Sequence, residues 1–192
     1  MNCTFSNLEV KLQDLLPTKR FRHTIGVAYT CASLAMKYGV NIQKAMAAGY
    51  FHDYAKYMSS SDILEKCKEF DFPLTKVEGE NPQLLHGKLS AFYAKRDYDL
   101  YDEDILKAIT YHTTGYPDMN TLDKILFIAD YIEPNRKNMD GLEAIRQAAF
   151  EDLDKAVILK IESVISYLRG KDANCYIDNL SMETYIFYKG AK

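Results

Sequence analysis

The chain has 192 residues, 47% hydrophobic and 27% charged, which suits one domain with a substantial core and excludes a disordered polymer. Its formal net charge of -3 provides no general basic field, so no nucleic-acid partner is expected, although a local cluster of cations can still bind polyphosphate. The four cysteines (Cys3, Cys31, Cys67, Cys175) include no C-x-x-C pair, which argues against a zinc ribbon and fits idle thiols in a reducing cytosol.

The opening MNCTFSNLEVKLQDLL mixes polar and acidic residues where a signal peptide needs an apolar core, and no apolar run reaches the roughly 18 residues of a membrane span. A cytoplasmic protein is expected. Leu8, Leu12, Leu15 and Leu16 mark a first short helix closed by Pro17. Thr18 is expected to cap a second, KRFRHTIGVAYTCASLAMKYG, which Gly39 ends. Asn41 caps a third, IQKAMAAGYFHDYAKYM, and the cluster Ser59 to Asp62 starts a fourth that runs through Phe70.

Residues 71–82 read as loop, with Pro73, Gly79 and an Asn-Pro step. Helical period resumes in QLLHGKLSAFYAKRDY and DEDILKAITYHT, lapses at TTGYPDMN, and returns in TLDKILFIADYIEP until Pro134. One or two long helices follow in MDGLEAIRQAAFEDLDKAVILKIESVISYLRGK. The aromatic tail NCYIDNLSMETYIFYKG is expected to pack back on the body. No strand pair or internal repeat is visible, so the reading is a single all-α domain over 1–192, its motif region at about 18–137.

The candidate chemistry lies in the histidines. A lone histidine on a half-buried helix is more often a hydrogen-bonded core residue than a ligand. Here His23, His52, His86 and His112 fall one apiece in four predicted helices, each on an apolar face, and a bundle brings such positions together as a core metal site requires. Asp53 adjoins His52, and its two oxygens can bridge where an imidazole cannot. Asp130 follows Ile125, Leu126, Phe127, Ile128 and Ala129 on an apolar helix, where an ionised carboxylate needs a metal or an Arg/Lys partner.

The ordered set His23, His52-Asp53, Asp130 resembles the H…HD…D pattern of the HD superfamily of metal-dependent phosphohydrolases, whose fold is a helical bundle. The words RFRHTIGVA, FHDYAK, LLHGKLSA and TYHTTGYPDMNTLDKILFIADYIEPNR resemble the YqeK-type branch over about Arg20–Arg136, with a weaker echo at Tyr176-Ile177-Asp178.

That resemblance implies symmetrical hydrolysis of diadenosine tetraphosphate to two ADP by metal-activated hydroxide, with iron as cofactor. It implies metal ligation by His23, His52, Asp53 and Asp130, and places His86 and His112 at a second metal or the phosphates. It implies nucleotide contacts from His23, Asp53, Lys56, His86, His112, Thr113, Asp130, Arg136, Tyr176, Ile177 and Asp178. Asp53, Lys56 and Arg136 are the implied catalytic residues, although an ordinary helix-surface lysine and a solvated loop arginine are the bland readings of the last two. The wording NLSMETY departs from the family, so a base-closing role there is weakly founded.

Imidazole and carboxylate donors also admit Mn, Co, Ni or Zn. No phosphate-cradling glycine loop, dinucleotide fingerprint or nucleophile elbow is present. The alternatives are an HD nucleotidase or phosphodiesterase on mono- or cyclic nucleotides, and a non-catalytic nucleotide-sensing HD domain. An exposed apolar face on the C-terminal helices would permit a homodimer.

Overall fold

The computed structural model describes residues 4–137, 139–171 and 177–190. Among them the chain is helical without a strand. It runs through α1 (Phe5–Leu15), α2 (Thr18–Tyr38), α3 (Ile42–Phe51), α4 (Ser60–Glu69), α5 (Lys76–Glu80) and a 3-10 turn (Pro82–Leu85). Then come α6 (His86–Tyr98), α7 (Glu103–Tyr111), α8 (Thr121–Ile132), α9 (Leu142–Glu151), α10 (Leu153–Lys171) and α11 (Asn179–Gly190). The all-α expectation holds.

The core forms where α2 lies along α3 and α8, with α7 closing against α3, α6 and α8. Val27, Ala28 and Leu34 of α2, Ala48 and Phe51 of α3, Ile109 of α7, and Ile125 and Ile128 of α8 are fully buried there. Removing such side chains from water contributes about 1.5–3 kcal/mol each for the large ones. A Cβ on Gly49 would stand 2.6 Å from Ala28 Cα, so α2 and α3 meet backbone to backbone. A smaller cluster of Ala55, Met58, Ile63, Cys67, Leu85, Leu89 and Tyr93 joins α4 to α6. On the other side α10 packs on α8 and α9, and α11 on α10. The tail does pack back: Tyr188 is buried, and its hydroxyl accepts from Met119 N at 2.8 Å. No helix among the described residues is long and apolar enough to cross a membrane.

Several local expectations are corrected. Thr18 is the first residue of α2, with Pro17 at the cap position, because proline supplies a helix-compatible φ and lacks the N–H that would go unpaired. The third helix stops at Phe51 instead of running to Met58. Beyond it Tyr54 N, Lys56 N and Met58 N donate to the carbonyls three residues back, a tighter winding, and Ala55 N donates to Ser90 Oγ. The expected loop at 71–82 contains α5, nucleated by a Thr75–Glu78 capping box. The long C-terminal run, read as one or two helices, is two, broken at Asp152, whose side chain accepts from Asp154 N and Lys155 N to start α10.

Candidate metal centre

Of the four histidines only His23 lies in a helix interior. His52 and His112 cap the C-terminal ends of α3 and α7, and His86 opens α6. The expectation of one histidine within each of four helices is thus corrected at His52 and His112, which stand just past the helix ends, and the reason is geometric: element ends can be aimed inward from several directions without burying an unpaired backbone. Gly87 matters here, since a Cβ would stand 2.8 Å from Thr110 O and 2.9 Å from Ile109 O, and its absence lets α6 press His86 against the end of α7.

The four rings form a row. His23 and His52 have centroids 5.3 Å apart, His52 and His112 5.0 Å, and His112 and His86 4.9 Å. Each ring is anchored through Nδ1. That of His52 donates to Gly49 O at 2.7 Å, that of His86 to Gln83 O at 2.5 Å, and that of His112 to Ile109 O at 2.7 Å. The Nδ1 of His23 faces Glu133 Oε1 at 3.0 Å. With the proton committed to Nδ1, each Nε2 presents a lone pair to the interior.

These lone pairs converge. His23 Nε2 is 3.4 Å from His52 Nε2, and His86 Nε2 is 3.0 Å from His112 Nε2. Lone pairs this close repel unless a cation lies between them. Asp53 sits under the row with its oxygens divided. Oδ2 stands 3.4 Å from His52 Nε2 and 3.7 Å from His23 Nε2, whereas Oδ1 stands 3.1 Å from His86 Nε2 and 3.8 Å from His112 Nε2. Asp130 Oδ1 completes the first side, 3.0 Å from His23 Nε2 and 3.8 Å from His52 Nε2. Ligands about 2.1 Å from a shared ion stand about 3–4 Å from one another, so the donor set fits a divalent metal. Among the described residues two groups satisfy that spacing, His23 with His52 and Asp130, and His52 with Asp53 and His112.

Burial pushes Asp53 up, but the adjacent imidazoles of His52 and His86 more than offset it and hold the carboxyl well below the usual range. Asp130 behaves alike: burial opposes ionisation, and His23 and Arg136 restore it. Burial, then His86 and His52, push His112 down to about 3, which keeps its ring neutral and ready to coordinate. Burial lowers the His23 ring less than Asp130 and Glu133 raise it.

The second carboxylate's partner is now visible. Arg136 donates from Nη2 to Asp130 Oδ1 at 2.8 Å and from Nε to Asp130 O at 2.9 Å. Lys56 is half-buried, with Nζ 3.3 Å from His86 Nδ1, and burial lowers its pKa. Thr113 Oγ1 lies 3.3 Å from His112 Nε2. Asp178 accepts from Ser181 N at 3.2 Å at the start of α11. Ile177, Asp178 and Thr113 line a cavity of about 310 Å³ with Phe127, Lys160 and Ile161. Tyr176 lies outside the described residues.

Two residues escape a reading by motif. Arg20 Nη1 pairs with Asp53 Oδ2 at 2.5 Å, and it lines a cleft of about 360 Å³ with Lys19, His23, Arg136 and Lys137. Its position three before His23, on the same helix face, is the signal that could have found it. Glu133 was hidden by its place beside Pro134, which reads only as a helix stop.

The HD domain family model matches residues 20–135. A protein of Halalkalibacterium halodurans named bis(5'-nucleosyl)-tetraphosphatase, symmetrical, is 41% identical over 170 residues, covering 86% of this chain and 88% of that one. A Bacillus subtilis protein of the same name is 37% identical over 167 residues, covering 87% and 89%. A crystal structure from Clostridium acetobutylicum, described as a predicted HD superfamily hydrolase involved in NAD metabolism, superposes with a TM-score of 0.92 at 35% identity over 99% of both chains. With the histidine row, the divided aspartate and these likenesses together, the chain belongs to the HD domain family, in the branch that contains the symmetrical bis(5'-nucleosyl)-tetraphosphatases.

Proposed function

We propose that this protein, acting as one domain, is a metal-dependent symmetrical bis(5'-nucleosyl)-tetraphosphatase that hydrolyses diadenosine tetraphosphate to two ADP. The observation that carries the reading is Asp53, whose two oxygens face separate histidine pairs and so suit a pair of cations. His23, His52 and Asp130 would hold one ion, His86 and His112 would serve a second, and Asp53 offers an oxygen to each side. A bound divalent metal supplies water acidified towards neutrality and neutralises phosphate charge.

The protein's own residues do the rest. Lys19, Arg20, Arg136 and Lys137 gather cations around a cleft beside His23 in a chain of net charge -3, which draws a polyphosphate to this place. Arg20 and Arg136 hold phosphate oxygens with planar forks while staying tied to Asp53 and Asp130, and Lys56 reaches the chain from the His86 side. Thr113, Ile177 and Asp178 line the cavity that takes a nucleoside. Iron is the proposed native metal, with Mn, Co, Ni and Zn compatible with the same donors. A cytoplasmic setting agrees with the buried free thiols Cys31 and Cys67.

The test is product analysis of diadenosine tetraphosphate with chelated protein reloaded with Fe, Mn, Co, Ni or Zn. ADP as sole product is expected. Paired AMP and ATP would overturn the symmetrical assignment, preferred turnover of mono- or cyclic nucleotides would replace the substrate, and tight binding without turnover under every metal would make the domain a sensor.

A further inference from the structure

The four imidazoles are anchored unequally. His52, His86 and His112 each donate to a backbone carbonyl three residues back, a neutral acceptor fixed by their own chain turn. His23 instead meets a carboxylate from another element. Pro134 excludes a helical conformation at the residue before it, so α8 ends and Glu133 leaves with φ -54° and ψ 153°, turned back over α2.

Glu133 is then fixed on every side. Oε1 stands 3.0 Å from His23 Nδ1, and Oε2 accepts from Asn135 N at 2.6 Å and Asn135 Nδ2 at 2.9 Å. Asn135 Nδ2 also donates to Arg22 O at 3.2 Å, and Arg146 Nη2 donates to Glu133 O at 3.2 Å. The residue is 1% exposed. Opposite it α2 carries Gly26, where a Cβ would overlap Oε2 and stand 3.1 Å from Glu133 Cδ. At that one position α2 carries no side chain, which leaves room for this carboxylate to reach the ring.

We propose that Glu133 is a positioning residue for His23, making the His23–His52–Asp130 position the tighter of two unequal metal positions. A carboxylate on the distal nitrogen fixes the ring's tautomer and strengthens Nε2 as a donor, and such partners are worth 10- to 100-fold in metal affinity. Among the described residues the His86 and His112 rings are backed by backbone carbonyls and by no carboxylate, so that position binds more weakly. The inference rests on the reading of these histidines as metal ligands.

The experiment titrates chelated wild-type, Glu133→Gln and Glu133→Ala proteins with Co(II) against a competing chelator, reading stoichiometry and the visible absorption of each bound ion. Wild type is expected to fill in two steps. Glu133→Gln keeps an oxygen acceptor and loses the charge, and should weaken the first step about 10-fold; Glu133→Ala should weaken it towards 100-fold, with the second step unchanged in both. Far-ultraviolet circular dichroism of chelated Glu133→Gln should match wild type. An isosteric Glu133→Gln protein that binds both ions as wild type does overturns the proposal. So does equal weakening of both steps, which marks a general structural role. Wild type that takes up no Co(II) overturns the metal-ligand reading itself, and this inference with it.

Discussion

Replacing Lys160 by Met removes an ammonium that lies inside the protein between α10 and α8. Its Nζ donates to Phe127 O at 2.6 Å and stands over the Phe127 ring, 3.3 Å from the centroid. Burial outweighs the attraction of Asp130, and Arg136 adds repulsion, so the pKa falls from 10.5 to about 7. Between those values the unfolded chain binds a proton that the folded chain does not, so stability rises with pH across that window and is lost as pH falls towards 7.

The slope is about 1.4 kcal/mol per pH unit, and the charge costs the fold about 4 kcal/mol at neutral pH. Met has a similar length and needs no proton. Losing the hydrogen bond to a charged donor costs about 1.5–3 kcal/mol. Lys160→Met should therefore stabilise the chelated protein at pH 7 by about 2 kcal/mol, or about 6 °C in melting temperature for a chain of this size. Urea denaturation at about pH 7 and pH 9 should show wild type gaining stability and the variant staying flat through the same interval. Equal pH slopes in the two proteins, or a variant clearly less stable at pH 7, would refute this account of the buried ammonium.

Asp53→Ala should empty both metal positions while far-ultraviolet circular dichroism stays helical; elemental analysis of the dialysed protein checks this, and a variant retaining both ions would remove Asp53 from the ligand set. Arg20→Ala should lower kcat/KM for diadenosine tetraphosphate by roughly 10- to 100-fold with metal content retained, since a charge-assisted contact contributes about 1.5–3 kcal/mol, and steady-state kinetics beside elemental analysis tests it. Gly26→Ala forces Glu133 or α2 to move and should destabilise the fold by about 1–3 kcal/mol, read from the denaturation midpoint.

The helices were legible because their apolar period and their caps agree: Asn41 accepts from Lys44 N, Ser59 from Asp62 N, and Gly39 takes φ 68°. The clustering of Asp130 was legible for a different reason, since a carboxylate on an otherwise apolar helix demanded a partner, and it has Arg136 and His23. What sequence could not supply was direction. His52 and Asp53 read as mid-helix neighbours, and only the winding after Phe51, tightened by Ser90 from a distant helix, divides the Asp53 oxygens between two histidine pairs. Glu133 was missed because a carboxylate–imidazole pair 110 positions apart leaves no local trace, and Arg20 because its place three before His23 gives a shared face but not the partner 33 positions away.

Those separations bear on how the molecule comes apart. The centre gathers donors from α2, the ends of α3 and α7, the start of α6 and the last turn of α8, so it cannot form until these elements have docked. An ion bound there can contribute little to early collapse and holds the finished assembly shut, raising resistance to unfolding by mass action in proportion to the logarithm of free metal over its dissociation constant. Loaded with an ion, the centre would also act as a clasp, and chelation would loosen α2, α3, α6, α7 and α8 together.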